Sequence, residues 1–215
     1  MPEVKLERFG GPYCRGPLKR SVDLIASASG LVLLSPLFAL LAVLTLVMMG
    51  PPLLFTEARV GLGGRPFRIL KFRTMRVNQG GLFVTGRNDP RITTWGRLLR
   101  TTKMDELPQL INVIRGEMSI VGPRPEIPRY VEAYTPDQRR VLEVRPGLTD
   151  PATIAFMWEE QLLAAKDPSV RDRYYVEEIL PKKLSMNLEY IERASLTYDL
   201  RLVARTLRVI LVPVS

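Results

Sequence analysis

Three short sets of residues in this chain have types and spacings that could do chemistry. The first is Lys103-Met104-Asp105-Glu106-Leu107-Pro108-Gln109-Leu110. Leu107, Leu110, Ile111 and Ile114 recur at helical spacing and predict a helix over 105–115, closed by Gly116. Pro108 is tolerated only in a first turn, which puts Asp105 at or next to the N-cap. There the open N–H groups and the positive helix end favour an anion. Asp105 should therefore stay ionised, and a phosphate approaching the same end should be stabilised. Adjacent helical residues point about 100° apart, so Asp105 and Glu106 cannot share one task. One carboxylate can attack while its neighbour holds a cation. Ordinary helix capping is the plainer reading of the same pair.

The second set is Gly122-Pro123-Arg124-Pro125. Two prolines fix the backbone around one guanidinium, which suits bidentate gripping of a phosphate or carboxylate; a rigid connector with a solvated arginine is the plain alternative. The third is Lys71-Phe72-Arg73-Thr74-Met75. In a strand Lys71 and Arg73 share a face with Phe67 and Ile69, and two cations there could line a diphosphate site. An edge strand protected by charge has the same pattern.

Composition limits what those sets can do. The 215 residues include no histidine and one cysteine, Cys14, which excludes Ser-His-Asp and Cys-His catalysis, histidine-bound metals and a disulfide framework. Any catalysis must run on carboxylates, Lys, Arg or a hard cation. The net charge of +9 suits an anionic leaflet, a phosphorylated substrate or a nucleic acid.

The elements that must position these residues begin with Leu24–Met49, a run without a charge and with Pro36 near its midpoint. About 20 apolar residues cross a bilayer. Both flanks are basic, with Lys5, Arg8, Arg15, Lys19 and Arg20 before the run and Arg59, Arg65, Arg68, Lys71, Arg73 and Arg76 after it. Positive flanks stay cytoplasmic, so the two ends ask for the same side. A kink is expected at Pro36, which lacks the N–H that would bond Val32, and Ser35 can return a hydroxyl to the freed backbone. A plain spanning helix and a helix that bends and returns both remain open on local physics.

Further along, the pattern predicts a hairpin around Gly61–Gly64, a strand over 67–75, a Gly/Asn-rich loop over 78–89 that is a candidate mobile segment, and a helix or strand-turn over 91–102. Helices are predicted over 130–144, 158–165 and 169–179, with one or two long ones over 181–211. In the last, Leu200, Val203, Leu207 and Ile210 oppose Arg201, Arg205 and Arg208, which suits either a headgroup-level helix or core packing. The expected fold is mostly α with a small β element (α+β). Residues 1–18 read as a poorly ordered arm, 19–52 as the membrane segment and 53–215 as the body.

Taken in order, Arg59–Gly61 (RVG), Lys71–Met75 (KFRTM), Asp105–Gln109 (DELPQ), Asn112–Gly116 (NVIRG), Met118–Pro125 (MSIVGPRP) and Arg145–Thr149 (RPGLT) resemble the bacterial sugar transferases, more specifically the monotopic phosphoglycosyl transferases. The resemblance covers nearly the whole chain from Lys19 and looks like a minimal catalytic unit. It implies transfer of a sugar-1-phosphate from a UDP-sugar to polyprenyl (undecaprenyl) phosphate, with UMP released and surface glycan synthesis begun. By likeness Asp105 is the nucleophile of a phosphosugar-aspartyl intermediate, and Glu106, with Asp105, holds Mg²⁺. Arg100, Arg124 and Lys71 or Arg73 match phosphate-binding positions. Ser35-Pro36 matches the helix-breaking dyad, which makes 19–52 a re-entrant helix-break-helix in a monotopic membrane protein.

The implied location is the cytoplasmic face of the bacterial inner membrane, with both termini cytoplasmic. The expected partners are a UDP-sugar, polyprenyl phosphate, inner-membrane phospholipid and, as an allowed assembly, a second copy in a homodimer; nucleic acid is not among them. The chain departs from the family at Asp150-Pro151-Ala152-Thr153, where many members carry a glycine then a tryptophan. Asp150 is thereby expected near the sugar pocket. A membrane-tethered basic adaptor for anionic lipid or nucleic acid, and a lipid-phosphate hydrolase, are the competing functions.

Overall fold

A computed structural model of the chain describes residues 11–76 and 89–211. Residues 1–10 of the arm and nearly all of the Gly/Asn-rich loop expected over 78–89 lie outside the described residues. Within them the chain is mostly helical with a little sheet. Helices α1 (Pro12–Arg15), α2 (Pro17–Leu33) and α3 (Ser35–Met49) lead into strands β1 (Leu54–Val60) and β2 (Pro66–Phe72). Then come α4 (Thr94–Thr101), α5 (Gln109–Arg115), β3 (Ser119–Val121), α6 (Pro128–Glu132) and β4 (Gly147–Thr149). Five helices follow: α7 (Pro151–Ala155), α8 (Glu159–Ala164), α9 (Pro168–Tyr174), α10 (Leu180–Arg193) and α11 (Leu196–Leu211).

The break expected in the apolar run is present. α2 and α3 meet at Leu34 with a bend of 62°. Pro36 sits in the first turn of α3, where its missing N–H does least harm. The Val32 carbonyl is taken instead by the Ser35 hydroxyl, which donates to it at 2.8 Å. Among the described residues no single helix is long and apolar enough to cross a membrane; α2 and α3 meet that measure only as a bent pair.

One side of this pair is bound into the body. Asp23 accepts from the Ile120 backbone N–H at 3.1 Å, and buried Lys19 donates to Asp199 on α11 and to the Tyr190 hydroxyl on α10. Arg20 donates to the Val113 and Ile114 carbonyls (2.7 and 3.0 Å), capping the C-terminal end of α5. Leu41 on α3 packs with Phe72 and Leu99, while Trp95 donates its indole N–H to Thr45. The other side leaves Ile25, Val32, Leu33, Leu40, Val43, Val47 and Met48 exposed.

β1 and β2 form the expected antiparallel hairpin, from Leu54 opposite Phe72 to Val60 opposite Pro66. β3 and β4 form a parallel pair that the sequence pattern does not announce, because each strand has only three residues. Their backbones touch just beyond the ladder: a Cβ on Gly147 would lie 2.1 Å from the Gly122 nitrogen. Only glycine permits that approach.

The principal core joins Tyr190, Ile191, Leu180 and Leu184 of α10 to Val121, Tyr130, Tyr175 and Leu163. Three expected features are corrected. Pro12–Arg15, assigned to a poorly ordered arm, is helical, with Cys14 buried in the core and Tyr13 donating to Asp199. The helix expected over 130–144 is broken into α6 and a 3₁₀ stretch over Gln138–Glu143, because Thr135 and Pro136 interrupt it. The single helix expected over 105–115 starts only at Gln109, after a 3₁₀ turn over Met104–Glu106.

Treating α2 and α3 as cylinders of ~25 and ~22 Å, a 62° bend sets their far ends ~40 Å apart, against ~48 Å for a straight rod. Replacing the dyad by Ser35→Ala with Pro36→Ala should lengthen that separation, read between spin labels at positions 18 and 48. An unchanged distance would remove the dyad as the cause of the bend.

Candidate active site

The Asp105-Glu106 turn follows α4 through Lys103, the one described non-glycine residue with positive φ (57°). That left-handed residue reverses the chain at some cost in strain and lays the two carboxylates against β2. Asp105 is therefore not the N-cap of α5. Pro108 holds that position, with no side-chain cap, and a seven-residue helix beyond it gives Asp105 little of the dipole expected from sequence.

Glu106 is clamped. Lys71, at the end of β2, donates its ammonium at 2.9 Å, and Arg124 donates through both guanidinium nitrogens, Nη1 at 3.2 Å and Nη2 closer. Burial by itself would raise the Glu106 pKa. Arg124, Lys71 and Lys103 outweigh that and hold it well below the ordinary carboxylate range. Arg124 responds in the opposite sense: Glu106 keeps its guanidinium protonated more firmly than usual. Burial lowers the Lys71 pKa, with Glu106 opposing the shift.

Asp105 stands apart from this clamp. It is 5% exposed, and its Oδ1 is buried without a hydrogen-bond partner among the described residues. Burial, then the neighbouring Glu106 charge, raises its pKa from 3.8 to about 6, with Lys71, Lys103 and Arg100 pulling the other way. The helix-end stabilisation expected of Asp105 is corrected accordingly, since its pKa is raised, although the group stays mostly ionised at neutral pH. The two adjacent carboxylates nevertheless face different surroundings, as their angular spacing suggested.

The elements that bring these groups together are themselves braced. Asn112 on α5 is fully buried, accepts from the Leu70 N–H at 3.0 Å and donates to the Arg68 carbonyl at 2.8 Å. It thereby satisfies the edge of β2 that carries Lys71. Arg124 hangs from the end of the β3–β4 pair, where Gly147 N–H donates to the Pro123 carbonyl at 3.0 Å.

Asp150 completes the brace. It is 0% exposed, accepts from the Arg124 backbone N–H at 2.9 Å and caps α7 by accepting from Thr153 N–H. That capping role has a simple cause: a carboxylate just before Pro151 is in N-cap position.

The structure thus brings Lys71, Asp105, Glu106 and Arg124 together, with the Arg100 charge acting on Asp105 from α4. It does not bring Arg73 with them. Arg73 lies past the end of β2 and donates to the Met49 carbonyl at 2.6 Å and to that of Gly50, closing the end of α3. Sequence reasoning also passed over Gln109, which is 0% exposed with both amide atoms unpartnered among the described residues. Its place inside the DELPQ run was the only signal.

For a hard cation the donors are Asp105 Oδ1, buried and unpartnered, and the lone-pair capacity left on Glu106. Among the described residues no three Asp, Glu, His or Cys groups converge on a metal position. The pair fits Mg²⁺ as that ion commonly binds, through one or two carboxylates with substrate phosphates supplying further oxygens.

The family described as bacterial sugar transferase matches residues 14–213. The UDP-glucose:undecaprenyl-phosphate glucose-1-phosphate transferase of Caulobacter vibrioides is 38% identical over 208 residues, covering 93% of this chain and 73% of that protein. The Escherichia coli K12 protein of the same name is 35% identical over 199 residues, covering 88% of this chain and 39% of its own. A UDP-N-acetylgalactosamine-undecaprenyl-phosphate N-acetylgalactosaminephosphotransferase of Aeromonas hydrophila is 34% identical over 201 residues, covering 90% of this chain and 44% of that protein. The chain thus spans less than half the length of the last two.

A raised carboxylate pKa in the fold has a measurable consequence. With a folded value of about 6 against 3.8, ionising Asp105 opposes folding above pH 6, by ~3 kcal/mol, and the penalty vanishes below pH 4. Asp105→Asn should therefore melt higher than the wild type at pH 7.5, with the gain shrinking to nothing as pH falls to 4. A gain that stays constant with pH would refute the burial account.

Proposed function

Since the chain belongs to the bacterial sugar transferase family and is a phosphoglycosyl transferase, we propose that it transfers a sugar-1-phosphate from a UDP-sugar to polyprenyl phosphate, with Asp105 as nucleophile. The observation that carries this reading is the unequal treatment of the two adjacent carboxylates. Glu106 is neutralised by Lys71 and Arg124, while Asp105 is left buried, unpartnered and poised near pH 6. Membership of an enzyme family sets the adaptor alternative aside. The undecaprenyl-phosphate acceptor in the names of the relatives favours transfer over hydrolysis.

In the first step an Asp105 oxygen attacks the phosphorus next to the sugar. The P–O bond to the bridging oxygen breaks, UMP departs with that oxygen, and a phosphosugar-aspartyl ester remains. In the second, a phosphate oxygen of the polyprenyl acceptor attacks the same phosphorus, and the Asp105 carboxylate leaves. Lys71, Arg124 and Arg100 offset the diphosphate charge. Mg²⁺, held by Asp105 and Glu106 with the substrate's own phosphates, would neutralise charge on the diphosphate and the leaving UMP.

The reading places the enzyme at the cytoplasmic face of the bacterial inner membrane. α2 and α3, each shorter than the ~30 Å hydrocarbon core, enter and return. Support comes from the exposed apolar side of the pair, the basic flanks and the Ser35–Val32 bond, which satisfies backbone where water is scarce. On α11, exposed Leu200 and Leu207 lie beside exposed Arg201, Arg205 and Arg208, while Leu202 packs into the core; this mixture suits a headgroup-level helix.

Incubation with Mg²⁺ and a panel of UDP-sugars should release UMP and leave a phosphosugar mass adduct on the Asp105 peptide. Asp105→Asn should lower turnover on the order of 10⁴-fold and carry no adduct. Wild-type rates in that variant would exclude Asp105 as nucleophile. Labels on the N-terminal arm and the C-terminus should both report the cytoplasm, and opposite sides would exclude re-entry.

A further inference from the structure

A groove of about 580 Å³ opens at the C-terminal end of α3, and neither Asp105 nor Glu106 lines it. That volume falls within the ~300–1,000 Å³ common for small-molecule sites. One wall is apolar: Met48, Met49 and the Trp95 ring, whose indole N–H is already spent on Thr45 at 3.0 Å. Met48 is exposed, and so are Val47 and Leu46 behind it, so this wall runs onto the outer face of α3.

The other wall is cationic. Arg73 is 6% exposed, and while its Nη2 closes α3, its buried Nε has no partner among the described residues. Arg76 beside it is exposed. The wall ends at Thr94, the exposed first residue of α4, where backbone N–H groups carry the positive end of the helix.

A wholly apolar ligand would leave the Arg73 Nε unpaired and take water from the exposed Arg76 head, and a bare inorganic anion would leave the methionine wall wet. An amphiphile with an anionic head satisfies both walls. Two arginines and a helix start match the charge of a phosphomonoester, about −1.5 to −2, better than the single charge of a phosphodiester.

We propose that this groove binds a lipid phosphomonoester, its phosphate between Arg73, Arg76 and the start of α4 and its chain along Met48 and Met49 onto α3. The proposal rests on the acceptor class given above and makes the groove a second phosphate site, where the acceptor waits. Arg100, whose charge acts on Asp105, lies six residues beyond Thr94 on the same helix, ~9 Å along its axis. This also gives Arg73 a phosphate role at a different place from the one expected beside Lys71.

The test is equilibrium binding of neryl phosphate, a short prenyl phosphomonoester, to the full chain in detergent without any UDP-sugar. No turnover occurs, so the measurement reads whether or not Asp105 proves to be the nucleophile. Arg76→Gln with Thr94→Val should weaken binding about 10-fold or more, and Arg76→Lys should retain most of the affinity. Affinity for dihexanoyl-phosphatidylglycerol should change little between wild type and the double variant. Equal weakening for both lipids would overturn the acceptor assignment in favour of a bilayer phospholipid. Inorganic phosphate binding the wild type as tightly as neryl phosphate would overturn the lipid assignment, and unchanged neryl phosphate binding in the double variant would overturn the site.

Discussion

Two adjacent carboxylates sheltered from water are the constraint on which the rest of this structure depends. A buried ion without partners costs several kcal/mol, and two like charges side by side cost more. Glu106 meets the cost by drawing in Lys71 from β2 and Arg124 from the Pro123–Pro125 segment. Three stretches far apart in sequence are thereby committed to one point, and each must be held there. Asn112 fixes the β2 edge, the Gly122–Gly147 contact lets the parallel β3–β4 pair close up, and Asp150 holds the Arg124 backbone from behind. Among the described residues no comparable set of partners reaches Asp105, and burial beside the Glu106 charge holds its proton more tightly.

The apolar helix pair belongs to the same construction. Arg20 caps α5, Asp23 binds the backbone of β3, and Arg73 closes α3 from the end of β2. α2 therefore touches α5, which follows the carboxylate turn, and β3, which leads to Arg124, and α3 is tied to the strand that supplies Lys71. Buried Lys19, Asp199 and Tyr190 make a polar knot joining α2 to α10 and α11. Such groups are satisfied only when all of them are in place, which favours one orientation of the helix pair over many loosely packed ones. The exposed apolar side of the pair is thus fixed relative to Asp105. Under the proposed location at a membrane, that fixed relation would decide how far the reacting phosphorus stands from the bilayer.

What was legible in the sequence was local. The break at Ser35-Pro36 follows from a missing N–H and a nearby hydroxyl, and the hairpin from Gly61, Gly63 and Gly64 between two strand-like runs. DELPQ and Pro-Arg-Pro stood out as sets able to meet a phosphate, but capping and a rigid connector read as well from the sequence, and only the contact between Glu106 and Arg124 brings the two together. What escaped depended on contacts across the chain. Apolar spacing over 105–115 conceals that Lys103 turns left-handed and delays α5 to Gln109. Strand alternation pairs Arg73 with Lys71 on one face, yet the strand ends at Phe72 and Arg73 turns to the α3 carbonyls. A three-residue parallel pair has no periodicity to read. Asp150 read only as a departure from the family pattern, and its zero exposure and two backbone contacts are what show that the fold uses it.

In the proposed two-step transfer, the position of Asp105 on the acidity scale bears on both halves. A carboxylate at 3.8 in water is a weak nucleophile, heavily solvated and stabilised as the anion. Burial raises the pKa to about 6, strips solvent and increases basicity, while leaving the group mostly ionised near neutral pH. A further rise would leave too little anion to attack and would make the carboxylate a poorer leaving group in the second step. Lys71, Lys103 and Arg100 limit the rise, and the same cations face the phosphate charge. Glu106 acts oppositely on its neighbour, because its negative charge is part of what lifts Asp105. Any cation or substrate phosphate that shifts the Lys71–Arg124 clamp on Glu106 must therefore also shift the acidity of Asp105. Under the proposed mechanism, substrate charge and the Asp105 nucleophile are coupled through a single turn of chain, which requires the two carboxylates to be adjacent and differently partnered.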